Sequence, residues 1–275
     1  MTLDQLPPLR DTLAEHGLLA KKSFGQHFLL DLNITRKIAR LADIGDGDHV
    51  IEVGPGPGGL TRALLETGAR VTAVEADPRF APLLEELSAA SGGRLTVRLE
   101  DALTTDEAAV AAGAPAHIVS NLPYNVGTPL LIKWLTGPFT PASMTLMFQK
   151  EVADRIAAPV GAEAYGRLSV LAQATSHAQV VMDVPARAFT PPPKVASAVA
   201  RLTPRRDRPE PARLDALQKV TAAAFGQRRK MLRSSLKSLG GETLCVAAGV
   251  PAEARAEAID IPGFLALADA YGMKP

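Results

Sequence analysis

From Asp48 to Ser120, short β-like runs alternate with helix-like runs: His49 to Val53, Leu60 to Glu66, Arg70 to Glu75, Phe80 to Leu87, Leu95 to Leu99 and His117 to Ser120. Parallel strands need long crossovers, and a helix is the usual one, so this alternation predicts βαβ units with helices on both faces of one sheet. Met144 to Gln149, Gln179 to Val184 and Ala196 to Leu202 bring the strand candidates to seven, with helical stretches from Lys150 and from Leu168 to Thr175. The expected fold is α/β, doubly wound and mostly parallel.

The segment Thr203 to Pro211 concentrates proline and charge and reads as an exposed linker. Beyond it Leu214, Leu217, Val220 and Ala224 share one helical face, and later runs break at Gly240-Gly241, Gly249-Val250-Pro251 and Pro262-Gly263. Near the start, Asp31 opens a helix whose Ile34, Ile38 and Leu41 lie on one side. The expected organisation is an extension over 1–45, a sheet domain over 46–203 and a small all-α domain over 204–275.

With 30 Lys and Arg against 29 Asp and Glu, net charge supplies no global reason for a nucleic-acid or membrane partner. Cys245 is alone and forms no internal disulfide, and the five histidines never fall three to five residues apart as zinc ligands do. The start of the chain lacks a basic segment leading into an apolar core, and no uncharged apolar stretch approaches the roughly 20 residues that span a bilayer. We expect a cytoplasmic location, no metal and no membrane partner.

His49 to Val53 runs directly into Gly54-Pro55-Gly56-Pro57-Gly58-Gly59 and then a helix. Glycines at a strand-to-helix turn let a ligand approach the backbone closely. Glu75 ends the second strand 21 residues after Gly54, where a carboxylate can accept hydrogen bonds from both ribose hydroxyls of a nucleoside cofactor. At the end of the third strand Asp101 can accept from an adenine amino group, with Ala102 leaving room for the ring; otherwise Asp101 merely caps the next helix. Pro55 and Pro57 remove amide donors that a pyrophosphate would need. That favours S-adenosyl-L-methionine over NAD.

The fourth strand ends in Ser120-Asn121-Leu122-Pro123-Tyr124-Asn125. Carboxyl ends of parallel strands are where such sheets bind ligands, so Asn121 and Tyr124 are expected to face the cofactor crevice. The Asn121 side-chain oxygen and the Leu122 carbonyl can each accept one hydrogen from an exocyclic amine, while Tyr124 offers a face on which a base stacks. A plain proline turn with a buried tyrosine is the other reading. Phe189, in Phe189-Thr190-Pro191-Pro192-Pro193-Lys194-Val195, is either the second stacking wall or a core residue beside a stiff loop.

Lys21 and Lys22 precede Gln26-His27-Phe28-Leu29 as an arm that can contact both cofactor and RNA, or simply be solvated. Residues 205 to 240 carry ten Lys or Arg against three acidic residues. Arg228-Arg229-Lys230 and Arg233 are read at a helix start, suited to phosphate contacts; a solvated helix face is the alternative.

Together, Lys21-Lys22-x-x-Gly25-Gln26-His27-Phe28-Leu29, Glu52-x-Gly54-x-Gly56-x-Gly58, Asn121-Leu122-Pro123-Tyr124, Phe189-x-Pro191-x-Pro193-Lys194-Val195 and Phe225-x-x-Arg228-Arg229-Lys230 resemble the ribosomal RNA adenine dimethyltransferases, most closely the KsgA/RsmA type. The resemblance covers nearly the whole chain. It implies a seven-stranded Rossmann-like methyltransferase sheet and transfer of two methyl groups to N6 of each of two adjacent adenosines near the 3′ end of small-subunit rRNA. It further implies cofactor contacts from Gln26, His27, Leu29, Gly54, Glu75, Asp101 and Asn121, to which Gly56, Ala76 and Ala102 are added as neighbours. His27 stands where many relatives carry Asn. RNA contacts are expected from Lys21, Lys22, Lys194, Arg228, Arg229, Lys230 and Arg233, and the expected partner is small-subunit rRNA within a pre-30S particle, met by a monomer. A macrolide-resistance type of enzyme acting on large-subunit rRNA, and a mainly non-catalytic assembly factor, are the rival readings.

Overall fold

The computed structural model describes residues 2–18 and 27–273. Lys21, Lys22 and Gln26 lie outside the described residues. A seven-stranded sheet is built from β2 (His49–Val53), β3 (Arg70–Glu75), β4 (Leu95–Leu99), β5 (Ala116–Asn121), β6 (Met144–Gln149), β7 (Ser176–Val184) and β9 (Ser197–Pro204), in the order β4-β3-β2-β5-β6-β9-β7. The pairs β2 with β3, β2 with β5, β3 with β4 and β5 with β6 are all parallel. A separate two-stranded ribbon joins β1 (Phe28–Leu29) to β8 (Phe189–Thr190), antiparallel.

Residues on β2 and β3 are buried almost without interruption, which is why those strands read as apolar runs rather than alternating ones. Strand order reverses at β2, whose neighbours are β3 on one side and β5 on the other. Connections leave β2 and β5 in opposite directions at such a point and open a crevice at their carboxyl ends.

By backbone packing the chain divides into two compact units. The first comprises residues 1–130, 141–153 and 180–201. Its core gathers Ile38 from α2 (Leu32–Ala42), Leu60 and Leu64 from α3 (Gly59–Glu66), Val50, Val71, Val119 and Phe189. Asp31 caps α2 by accepting from the Asn33 amide at 2.9 Å, and Ile38 is buried while Ile34 is partly so. A second apolar cluster sets Leu13 of a helix at Leu9–Glu15, which periodicity did not reveal, beside Phe28 and Phe80.

The second unit comprises residues 131–140, 154–179 and 202–275, and so contains the whole segment expected from residue 204 as a helical domain. Its long helix Pro211–Gly226 buries Leu214, Leu217, Val220 and Ala224, the four residues of the expected face. Phe225 stacks on Phe264 with ring centres 5.5 Å apart and meets Tyr165 edge-on at 6.1 Å. Tyr165 is fully buried and donates to the Ile259 carbonyl at 2.9 Å, so its polar end is satisfied. No helix among the described residues is long and apolar enough to cross a membrane.

Candidate active site

Strand β2 delivers the chain into the glycine loop. Gly54 has φ of +67°, and a Cβ there would lie 3.3 Å from Cδ of Pro123, so this loop packs directly on the turn that follows β5. Gly58 has φ of +84° and a Cβ would come within 2.8 Å of Leu87 Cδ2. Both positions therefore favour glycine through their positive φ, and a Cβ at either would also press on a neighbouring side chain. Ser120 ties the two strand ends together, its buried hydroxyl donating to the Val53 carbonyl at 2.5 Å.

Glu75 closes β3 and is 7% exposed. Its two oxygens accept from the Gly56 amide at 3.0 Å and the Asp77 amide at 2.8 Å. Burial pushes its pKa up, and these amides pull it back down. Each carboxylate oxygen has two acceptor positions, so further acceptor capacity remains for a ligand.

Asn121 ends β5 in register with Met147 of β6, and its side chain makes no hydrogen bond to any described residue. Leu122 is 2% exposed, while the Pro123 carbonyl accepts from the amides of Val126 and Gly127 to close the turn. Tyr124 is half-buried, its hydroxyl 2.8 Å from Ser197 Oγ. Burial raises the phenol pKa, partly offset by Ser197, so Tyr124 stays neutral across the working range.

The β1–β8 ribbon brings in the remaining wall. Leu29 is registered against Phe189, and His27 Nδ1 lies 2.7 Å from the Pro191 carbonyl. A carbonyl only accepts, so Nδ1 carries the hydrogen. The His27 ring stands 6.2 Å from Tyr124, tilted by 33°. His27, Leu29, Gly54, Gly56, Glu75, Asn121, Leu122, Tyr124 and Phe189 all line one cavity of about 480 Å³. Phe189 is 3% exposed within the core cluster and also lines this cavity.

Among the described residues, three of the named cofactor residues are not in the lining: Ala76, Asp101 and Ala102. Asp101 accepts from the Leu103 amide at 2.9 Å and its carbonyl from Thr105, so it builds the turn after β4. Ala76 is exposed and Ala102 buried. Arg228, Arg229, Lys230, Arg233 and Lys194 are all exposed. Their basic block needs one correction: it does not open a long helix. It follows the end of the helix Pro211–Gly226, because Phe225 is held by Tyr165 and Phe264, and it precedes only the four-residue helix Leu232–Ser235. Arg228 donates to the Glu163 carbonyl at 2.7 Å, and Arg233 lies 3.9 Å from Glu253.

Sequence reasoning missed Glu52, Phe28, Leu60, Phe80 and Asn125 as lining residues. Glu52 had a signal, since a charged residue inside an otherwise apolar buried strand calls for a reason. It is 1% exposed, Oε2 has no hydrogen-bond partner among the described residues, and burial together with Glu75 lifts its pKa to about 8. An acid whose folded pKa exceeds its unfolded value loses stability as pH rises between the two. Without ligand, the melting temperature of the natural chain should therefore fall relative to Glu52→Gln between pH 5 and pH 8; parallel pH profiles would contradict this.

A carboxylate on the second parallel strand, a glycine loop on the first and an Asn-Leu-Pro-Tyr turn on the fourth, all meeting at the reversal of strand order, define a Rossmann-like methyltransferase. Comparison with known proteins makes this specific. The model of the family described as ribosomal RNA adenine dimethylase matches residues 17–271, and the chain belongs to that family. It is 75% identical over 271 residues to a protein of Phenylobacterium zucineum named ribosomal RNA small subunit methyltransferase A, covering 98% of this chain and 95% of that one. Among solved structures it is similar to a dimethyladenosine transferase from Plasmodium falciparum, with a TM-score of 0.73, 27% identity and coverage of 88% of this chain and 96% of that one. The 23S rRNA methyltransferase ErmE is also similar, with a TM-score of 0.68, 28% identity and coverage of 88% and 98%.

Proposed function

We propose that the chain uses S-adenosyl-L-methionine to dimethylate N6 of two adjacent adenosines in the 3′-terminal hairpin loop of small-subunit rRNA. The observation that carries this reading is one cavity walled by Glu75, Asn121, Leu122 and Tyr124 together. The cofactor fits the residues present. Pro55 and Pro57 have no amide hydrogen, and the Gly56 amide is already given to Glu75, so the loop is poorly furnished for a pyrophosphate. A volume of about 480 Å³ lies within the range of about 300 to 1,000 Å³ typical of small-molecule sites.

Bound S-adenosylmethionine supplies a methyl group on a sulfonium, which leaves with the bond electrons remaining on sulfur. Glu75 holds the ribose hydroxyls, and Leu29, Gly54 and His27 flank the remainder of the cofactor. Adenine N6 is a weak nucleophile because its lone pair is delocalised into the ring. Two acceptors, the Asn121 side-chain oxygen and the Leu122 carbonyl, draw on the amino hydrogens and concentrate density on nitrogen. Stacking on Tyr124, worth about 1 to 3 kcal/mol, holds the extruded base in that pose, with Phe189 as the opposing wall. Once methylated, the nitrogen is acidic enough to release its proton to water.

The substrate is proposed to be the rRNA within a pre-30S particle, met by a monomer in the cytoplasm, with residues 46–203 as the catalytic domain behind an extension over 1–45. The helical segment 204–275 binds RNA through Arg228, Arg229, Lys230 and Arg233, helped by Lys194 and the arm with Lys21 and Lys22. Phe225, packed against Tyr165 and Phe264, supports this by anchoring the end of the helix that the exposed basic block follows. Arg228→Glu with Arg229→Glu should weaken subunit binding and flatten its dependence on salt by about two counterions; identical binding at every salt concentration would remove both from the interface.

Calorimetric titration with S-adenosylmethionine and with NAD, followed by transfer of labelled methyl groups to unmethylated small and large subunits, tests the reading. Binding of the first ligand alone and label confined to the small subunit are expected. Label on the large subunit would favour the activity named for ErmE.

A further inference from the structure

We propose that Ser197 is a positioning residue for the reaction, acting through Tyr124. The proposal rests on the function set out above, in which the Tyr124 ring is the platform for the target base. A tyrosine ring is placed by two torsions, and the second has a broad well, so packing at one end of the side chain leaves its plane loosely defined. The hydroxyl is the far end of that lever. Here it sits 2.8 Å from Ser197 Oγ, while the backbone at the near end is fixed by the turn in which Pro123 accepts from Val126 and Gly127.

Ser197 suits this role because it is buried on a strand. It begins β9, is fully buried, and is preceded by Ala196, whose carbonyl accepts from the Lys150 amide at 2.9 Å. A hydroxyl on such a strand is a fixed post. The Tyr124 ring is meanwhile bordered by His27, which is itself held on the Pro191 carbonyl. Tyr124 is thus anchored through its oxygen by one element and bordered by another, and the 73 residues separating it from Ser197 in the chain make the contact a tertiary one. Neither cofactor nor RNA needs to touch Ser197 for its removal to be felt.

The test is a double-mutant cycle on unmethylated small subunits with Ser197→Ala, Tyr124→Phe and the pair, Tyr124→Phe keeping the stacking ring while removing the same bond from its other end. Each single change should lower kcat about 5- to 10-fold, the scale of one hydrogen bond, with KM for the subunit and calorimetric affinity for S-adenosylmethionine within twofold of the natural chain. The double variant should lose no more than either single one. Losses that multiply, an unchanged kcat, or an effect confined to KM would each overturn the proposal. If Ser197→Ala does not fold, Tyr124→Phe decides alone on the same criteria, and absence of transfer by the natural chain would instead refute the function on which the proposal stands.

Discussion

Asn121→Ala lowers turnover by about 10²- to 10³-fold, the usual cost of removing one preorganised electrostatic partner from a reacting group, and leaves affinity for S-adenosylmethionine within a few fold. The reason is positional. Asn121 is the last residue of β5, held in register by Met147 and preceded by Ser120, whose hydroxyl grips β2. Its amide is therefore presented at the strand end with no competing bond to a described residue. Alanine keeps the strand and removes only the side-chain acceptor proposed for N6. In the proposed reading Glu75 and the glycine loop carry the nucleoside, so binding is expected to survive. Single-turnover rates and calorimetry separate the two quantities, and loss of cofactor affinity in a folded Asn121→Ala variant would contradict this division of roles.

Glu75→Ala has the opposite signature, weakening S-adenosylmethionine binding by about 10²-fold or more. Hydrogen bonds to a charged group contribute about 1.5 to 3 kcal/mol each, and two ribose hydroxyls are at stake. A secondary effect adds to this: Gly56 and Asp77 lose the acceptor that now holds their amides, so the loop bordering the cavity is released. At saturating cofactor the rate should largely recover. A variant that binds normally but turns over slowly would place Glu75 in the chemistry instead.

Those two sites were legible because they are local. A glycine loop follows its strand immediately, and the end of a parallel strand is a binding position whatever lies elsewhere in the fold. His27 and Phe189 are different. They reach one cavity through a ribbon pairing Phe28 with Thr190, some 160 residues apart, and no local periodicity announces such a two-residue pair. A separation of 73 residues likewise hides Ser197 behind Tyr124. Asp101 sits after a strand as expected, and one of its carboxylate oxygens accepts from the Leu103 amide. Glu52 stood out as a lone carboxylate in an apolar strand, but the strand pattern does not say that it lines the cavity. The basic block was found by its charge, but it lies between the end of the helix Pro211–Gly226 and the four-residue helix Leu232–Ser235, not at the start of a long helix.

The most direct measurement is mass-spectrometric mapping of nucleosides in small-subunit rRNA that lacks the modification, after incubation with the natural chain and S-adenosylmethionine. Two neighbouring N6,N6-dimethyladenosines in the 3′-terminal hairpin are the result this account predicts. Methyl groups on ring nitrogens, on ribose, or on no adenosine at all would contradict it.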